Sequence, residues 1–166
     1  MSRTLDDLCG DLSYPMVAVS ASSDDGERDA CLVGFSTQIS IQPWRYLVGL
    51  SVRNRTFQLA QRCPVVAVHF LQTGDLDLAR LLGSASERDA DNGKSTRLET
   101  LWSEGPEGSA LIDGCENWFV GRILARHPCG DHVAHVLEPV AQNVSSGPFE
   151  QLDGSAVMDL EPGQAP

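Results

Sequence analysis

Three segments of this chain bring together side chains that can bind a charged ligand or move a proton. The first is Phe35-Ser36-Thr37-Gln38-Ile39-Ser40, closed by Pro43. Its hydroxyls, its amide and the backbone N–H groups of a turn between strands can grip the polar edge of a ligand; an ordinary polar β-turn has the same composition. The second is Arg53-Asn54-Arg55-Thr56. Guanidinium groups offer fixed planar donors suited to phosphate, and Thr56 near a helix start adds a hydroxyl and the positive end of the helix dipole. A helix N-cap flanked by solvated arginines reads the same way. The third is His127-Pro128-Cys129-Gly130-Asp131-His132, followed by His135. Gly130-Asp131-His132 reads as a turn presenting a histidine at a strand start, where it can donate a proton or a hydrogen bond near neutral pH. A metal site from His127, Cys129, His132 and His135 matches no recognised zinc spacing, and on a strand His132 and His135 point to opposite faces. No metal is expected.

Charge bears on the second segment. The chain has 166 residues and a net charge of −11. Nucleic-acid and anionic-membrane partners are not expected, because phosphate contacts need Lys and Arg. Yet Ala30–Gly74 contains no Asp or Glu and holds Arg45, Arg53, Arg55 and Arg62, out of only 12 basic residues. An acid-free arginine segment in an acidic protein suggests a local site for an anion. Core strands also exclude acids, so strands with a few solvated arginines would give the same pattern.

The elements that position these groups follow from patterning. Met16–Ala21, a polar turn at Ser22–Glu27 and Ala30–Phe35 suggest a hairpin. Tyr46–Val52 reads as a buried strand, Thr56–Arg62 as one or two helical turns, and Val65–Leu71 as the clearest strand. Asp75–Leu82 reads as a short helix burying Leu78, Leu81 and Leu82, and Ser84–Lys94 as a mobile loop. Cys115–Arg126 and His132–Ala141 are further strands, with Pro139 implying an edge or a strand end. Residues 1–13 form an amphipathic lead-in on Leu5, Leu8 and Leu12, residues 14–143 the domain, and residues 144–166 a flexible tail. The fold class is mainly β with a few short helices, a barrel rather than an alternating α/β sheet. The chain has no GxGxxG, P-loop, HExxH or GxSxG pattern, so a nicotinamide would bind without a Rossmann fold. Five unpatterned cysteines and no export signal suggest reduced thiols and a cytoplasmic setting, with Cys31, Cys63 and Cys115 as core filler. Trp44, Tyr46, Trp102 and Trp118 are candidates for an interface or for ligand stacking, roles they share with ordinary core packing.

In order and spacing, these segments resemble the flavin reductase-like family. Ser36-Thr37-Gln38-Ile39-Ser40-Ile41-Gln42-Pro43 is similar to the family's S-F-T-S-V-S-L-D-P-P stretch, and Tyr46–Val52 to the strand after it. Asn54 and Thr56 fall where the family has its S-x-T phosphate segment; Val65–Leu71 resembles F-x-V-N-x-L, and Asp77-Leu78-Ala79 the following helix. Leu111–Ile123 is similar to the next strand, and Gly130-Asp131-His132 matches the family's G-D-H. Trp44 replaces the second proline, Gln42 the usual acid and His69 the usual asparagine; Leu137 and Pro139 depart from the ending after G-D-H, and no D-K-F segment is visible in Ser84–Thr100.

The resemblance implies an FMN-binding split β-barrel, commonly with the flavin at a homodimer interface. It implies that Ser36, Thr37, Gln38 and Ser40 contact the isoalloxazine edge and ribityl chain. Arg53, Asn54, Arg55 and Thr56 would then hold the 5′-phosphate, and His132 would lie near the nicotinamide or the reactive face. The implied activity is NAD(P)H:flavin reductase, with FMN or FAD as flavin, NADH or NADPH as reductant, and a partner monooxygenase or other acceptor downstream. A flavin- or haem-binding module without turnover is the alternative. A hydrolase or metal enzyme built on Cys129 and the histidines is a third reading.

Overall fold

The computed structural model describes residues 3–84 and 97–160. In chain order the elements are α1 (Leu5–Gly10), β1 (Val17–Ser22), β2 (Arg28–Val33), β3 (Ser36–Ser40), β4 (Arg45–Ser51), α2 (Arg55–Ala60), β5 (Val65–Phe70), α3 (Leu76–Ser84), β6 (Trp102–Glu104), β7 (Ala110–Ile112), β8 (Trp118–Pro128) and β9 (His132–Asn143). Seven strands form one antiparallel sheet in the order β2-β1-β5-β8-β9-β4-β3, and β6 pairs with β7 in a separate two-stranded sheet. The sheet is a split β-barrel, with β2 and β3 at its two ends.

Alternation along each strand decides which side chains fill the barrel. Val17 and Val19 of β1, Val48 and Leu50 of β4, Val66 and Val68 of β5, and Leu137 of β9 meet inside, and Leu59 and Ala60 of α2 close the cluster. The opposite faces of β1 and β2, through Ala18 and Ala30, are covered by a second cluster containing Leu81 and Leu82 of α3, Ile112 of β7 and Leu152. Strand β1 is therefore buried on both sides, which explains why its residues are apolar or small from Val17 to Ala21. By contrast β4 strictly alternates between buried and half-buried, so one of its faces stays accessible.

The structure departs from the sequence reading in four places. Phe35–Ser40 is not a turn, because Ser36–Ser40 forms the edge strand β3. Pro139 lies neither in an edge strand nor at a strand end, since β9 runs between β8 and β4 as far as Asn143. The pairing with β4 stops at Leu137, and a bulge separates Pro139 from Ala141 against β8, so the missing N–H costs no ladder bond to β4 there. The flexible-tail reading of 144–166 does not describe 144–160. Leu152 and Val157 are buried, and Leu152 exchanges backbone hydrogen bonds with Met16 and Leu71. Helix α1 forms with a Thr4–Asp7 capping box, but it buries no residue: Leu5, Leu8 and Leu12 are all exposed. Apart from Ser84, the Ser84–Lys94 loop lies outside the described residues.

The β6–β7 hairpin is fastened to the barrel by side chains. The Ser20 and Ser22 hydroxyls donate to the Ala110 and Gly108 carbonyls at 2.6 and 2.7 Å, and the Ile112 N–H donates to His69 Nε2 at 3.1 Å. His69 is fully buried on β5, and its Nδ1 makes no well-formed hydrogen bond. Accepting at Nε2 requires a neutral ring. Burial pushes the His69 pKa down to about 4, with the Ala18 carbonyl offsetting a little of that shift. Burial lowers His135 in the same direction. Below the ordinary value of 6.5 the unfolded chain takes up a proton that native His69 refuses. Stability is therefore complete above that value and falls as the pH drops from 6.5 toward 4, by about 3 kcal/mol for His69. Thermal melts of the wild type and of His69→Gln over this window should show a shallower pH slope for the variant. Equal slopes would refute the assignment.

Candidate functional site

The accessible face of β4 builds the site. Tyr46, Val48 and Leu50 point inward, so Leu47, Gly49 and Ser51 point outward. In register, Leu47 lies opposite Thr37 on β3 and Val136 on β9, Gly49 opposite Ala134, and Ser51 opposite His132. Directly opposed residues share a face. The outer face of β3, β4 and β9 therefore carries Thr37 and His132 together. Phe35 joins them: its ring meets the His132 ring edge-on, with centroids 5.1 Å apart. Gly49 makes this possible, because a Cβ at that position would sit 3.1 Å from the Phe35 Cβ.

The other β3 candidates divide. Ser36 and Gln38 lie opposite Val48 and Tyr46, on the inward side, and the Ser36 and Tyr46 hydroxyls are 3.1 Å apart. A bulge after Gln38 sets Ser40 opposite Arg45, back on the outer side. Arg45 is committed there to Glu138 at 3.1 Å, which Arg122 also reaches at 3.4 Å. Tyr46 is core, with Trp44 stacked on it at 5.7 Å.

His132 is oriented by its neighbour. Gly130 has φ +85, a conformation glycine adopts without strain, and the turn returns the Asp131 carbonyl to accept from the Val52 N–H. The Asp131 carboxylate lies 2.8 Å from His132 Nδ1. An ionised carboxylate only accepts, so Nδ1 carries the hydrogen and Nε2 faces away from Asp131. The hydrogen bond and charge of His132 hold the Asp131 carboxyl below its usual range, with a smaller contribution from Arg53. Arg53 thereby ties the second sequence segment to this end of the face.

Beyond Arg53 the segment turns toward the β1–β2 hairpin. Asn54 is the N-cap of α2 but makes no side-chain cap bond. Arg55 pairs with Glu27, which also accepts from Arg62 at 2.9 Å. The hydroxyl of fully buried Thr56 donates to buried Asp29. The acid-free run in sequence is thus met in space by two acids from outside it. Arg55 is compensated by Glu27, contrary to the simplest form of the anion argument. A cleft of about 340 Å³ opens beside this pair, lined by Gly26, Glu27, Arg28, Arg55, Glu99 and Trp102.

The structure therefore gathers Thr37, Ser40 and His132 on one face and places Arg53 at its end. It sets Asn54, Arg55 and Thr56 on or beside α2, turns Ser36 inward and leaves Gln38 exposed at the sheet edge, its amide on the Ser40 carbonyl. Sequence reasoning assigned no role to Phe35, Asp131, Glu27 or Asp29. Phe35 and Asp131 stood inside quoted motifs, whereas Glu27 carried only a polar-turn signal and Asp29 fell between that turn and the next strand.

His135 lies on the inward face, with Nδ1 2.9 Å from the Val133 carbonyl and its ring against Phe57. Among the described residues, no group of three or more His, Cys, Asp or Glu could hold a metal ion. Burial raises the Cys63 thiol and pushes Cys115 up to about 12, so both stay protonated in the core. No helix among the described residues is long and apolar enough to cross a membrane.

Comparison with known proteins returns the same architecture. A Streptomyces globisporus C-1027 NADH:FAD oxidoreductase matches with a TM-score of 0.75 and 20% identity, over 90% of this chain and 85% of its own. An FMN-binding protein of Thermus thermophilus, solved with p-hydroxybenzaldehyde, matches with a TM-score of 0.75 and 22% identity, over 89% of this chain and 81% of its own. A suspected oxidoreductase of Sinorhizobium meliloti 1021 matches with a TM-score of 0.75 and 19% identity over 90% of this chain, which spans only 49% of that longer one. At these identities the likeness establishes the fold. No curated protein matches the sequence. The model of the flavin reductase-like domain matches residues 9–157, nearly the whole described chain, and the protein therefore belongs to the flavin reductase-like domain family.

Proposed function

We propose that the protein is an NAD(P)H:flavin reductase that binds FMN, or FAD in its place, on the outer face of β3, β4 and β9. Electrons would then pass to a downstream acceptor such as a partner monooxygenase. The observation that carries this reading is the register that puts Thr37, Ser40, Phe35 and oriented His132 on one accessible face. The names of the Streptomyces and Thermus relatives support flavin and nicotinamide nucleotides as ligands.

The residues present fit a flavin. Gly49 keeps the sheet surface low beside Phe35, where a Cβ would crowd the ring. Thr37 and Ser40 offer hydroxyls, and the outer edge of β3 offers main-chain donors and acceptors that no described strand pairs. Arg53 and Arg55 supply positive charge for a phosphate. Thr56, buried on Asp29, acts by fixing α2 to the hairpin. A bound flavin supplies hydride acceptance; the protein supplies binding, orientation and electrostatics. The role assigned to His132 is to present Nε2 to the ligand while Asp131 keeps Nδ1–H in place, so that it can pass a proton to or from the ligand.

The same edge carries exposed Phe35, Ile39 and Ile41, the last 86% exposed. A homodimer covering it belongs to this proposal, and a strictly monomeric sedimentation profile would argue against a shared site. The five cysteines are free thiols, which fits a cytoplasmic setting. A second reading, a flavin carrier without turnover, is favoured by the commitment of Arg55 and Thr56 to acids.

The experiment is a visible spectrum of the protein with FMN, followed by NADH or NADPH. Flavin bands should bleach and NADH oxidation should continue in air; binding without bleaching would move the assignment to the carrier. His132→Ala should slow turnover about a hundred-fold, the lower end of what positioned acid–base groups contribute. Full turnover in that variant would remove His132 from the chemistry. Replacing Arg53 and Arg55 together with alanine should weaken FMN a few-fold, the scale of partly exposed charge interactions. Unchanged affinity would displace the phosphate site from this segment.

A further inference from the structure

The β1–β2 hairpin delivers two acids to α2, and they differ in kind. Asp29 and Thr56 are both buried, so their hydrogen bond is internal scaffolding. Glu27 and Arg55 keep about a third of their side chains in solvent, at 32% and 37%, and both line the open cleft. An ion pair of that kind is accessible to an incoming anion. Glu27 splits its carboxylate, with Oε1 on Arg55 and Oε2 on Arg62. It thereby takes one terminal guanidinium nitrogen of Arg55 and neutralises charge that a phosphate approaching Arg55 would use. Glu99 and Arg28 line the same cleft with opposite charges, so the pair leaves the Glu27–Arg55 contact as the feature a phosphate must disturb.

Resting on the flavin reading above, we propose that Glu27 is a specificity-determining residue that competes with the flavin 5′-phosphate for Arg55. The phosphate then adds little to affinity. Flavin is held by its ring and ribityl chain and exchanges as a substrate, rather than staying as a prosthetic group. The competition persists at working pH, because hydrogen bonds from Arg55 first and Arg62 second hold the Glu27 carboxyl below its usual range. Glutamine at this position keeps the size and an acceptor oxygen while removing the charge.

The test is equilibrium titration of FMN and riboflavin, read by flavin fluorescence, against the wild type and Glu27→Gln. The wild type should bind the two flavins within a few-fold of each other. Glu27→Gln should bind FMN about five-fold more tightly, the scale of a partly exposed charge interaction, with riboflavin unchanged. Unchanged or weaker FMN binding in a variant that melts like the wild type would overturn the inference. If the variant does not fold, the wild type decides alone. A preference for FMN over riboflavin of about a hundred-fold, as unopposed charge-assisted hydrogen bonds would give, overturns the inference. Failure of both flavins to bind both proteins would sink the flavin reading itself, and this inference with it.

Discussion

The structure depends on the register of β4 between its two neighbours. Because side chains alternate along a strand, a slip of one residue would send Tyr46, Val48 and Leu50 out to solvent and bring Leu47, Gly49 and Ser51 into the barrel. The inward set is worth several kcal/mol of buried apolar surface, at roughly 1.5–3 kcal/mol per large side chain, and that difference pins the pairing. The accessible face is a by-product of the same constraint. Thr37, Gly49 and His132 become neighbours because Val48 and Leu50 must face the other way. The site's geometry is thus enforced by the core, and its own side chains need contribute little to holding it.

A second constraint is electrostatic. The chain carries −11 net charge, so an anionic nucleotide meets repulsion over roughly the 8 Å Debye length of physiological salt before it meets any arginine. Local positive charge must outweigh this, yet the arginines are largely spent inside the protein. Arg45 and Arg122 hold Glu138, Arg55 and Arg62 hold Glu27, and Arg126 donates to the Ala60 and Cys63 carbonyls at the end of α2. These pairs join elements distant in sequence: hairpin to helix, β4 to β9, β8 to α2. The arginine-rich segment therefore ties the barrel together as well as offering charge at its surface.

Much of this was legible in the sequence because the signals were local. Val65–Phe70 is β-branched and follows a proline, Tyr46–Ser51 is apolar between polar breaks, and Gly130-Asp131-His132 combines a positive-φ residue with a strand start. The order of these motifs sufficed for the family and the barrel. What escaped was set by tertiary contact. Glu27 looks like a turn residue and Asp29 lies just outside the expected strand, and only folding of the hairpin brings them to Arg55 and Thr56. The polar stretch Ser36–Ser40 has the composition of a turn and becomes a strand because β4 offers it a partner. Residues 144–160 have tail-like composition, yet two apolar side chains, Leu152 and Val157, dock the segment over β1 and α3. The Leu5–Leu12 stripe gave the opposite error, since helical spacing predicts a helix but does not supply a surface for it to cover.

The two constraints meet at His132. A histidine serves proton transfer only if its tautomer and direction are fixed while one nitrogen stays accessible, and burial would achieve the first at the expense of the second. His69 and His135 illustrate that cost: both rings are buried, both have lowered pKa values, and each presents its unprotonated nitrogen to another protein group rather than to solvent. At His132 orientation comes from a carboxylate one residue away and from the edge of the Phe35 ring. That leaves 28% of the side chain open. Backbone geometry makes this possible, with Gly130 turning the chain and β9 pairing beginning at His132, so the ring stands at the rim of the sheet rather than within it. A rim position also lets ligands come and go. The fold thus holds His132 oriented on an accessible face without burying it.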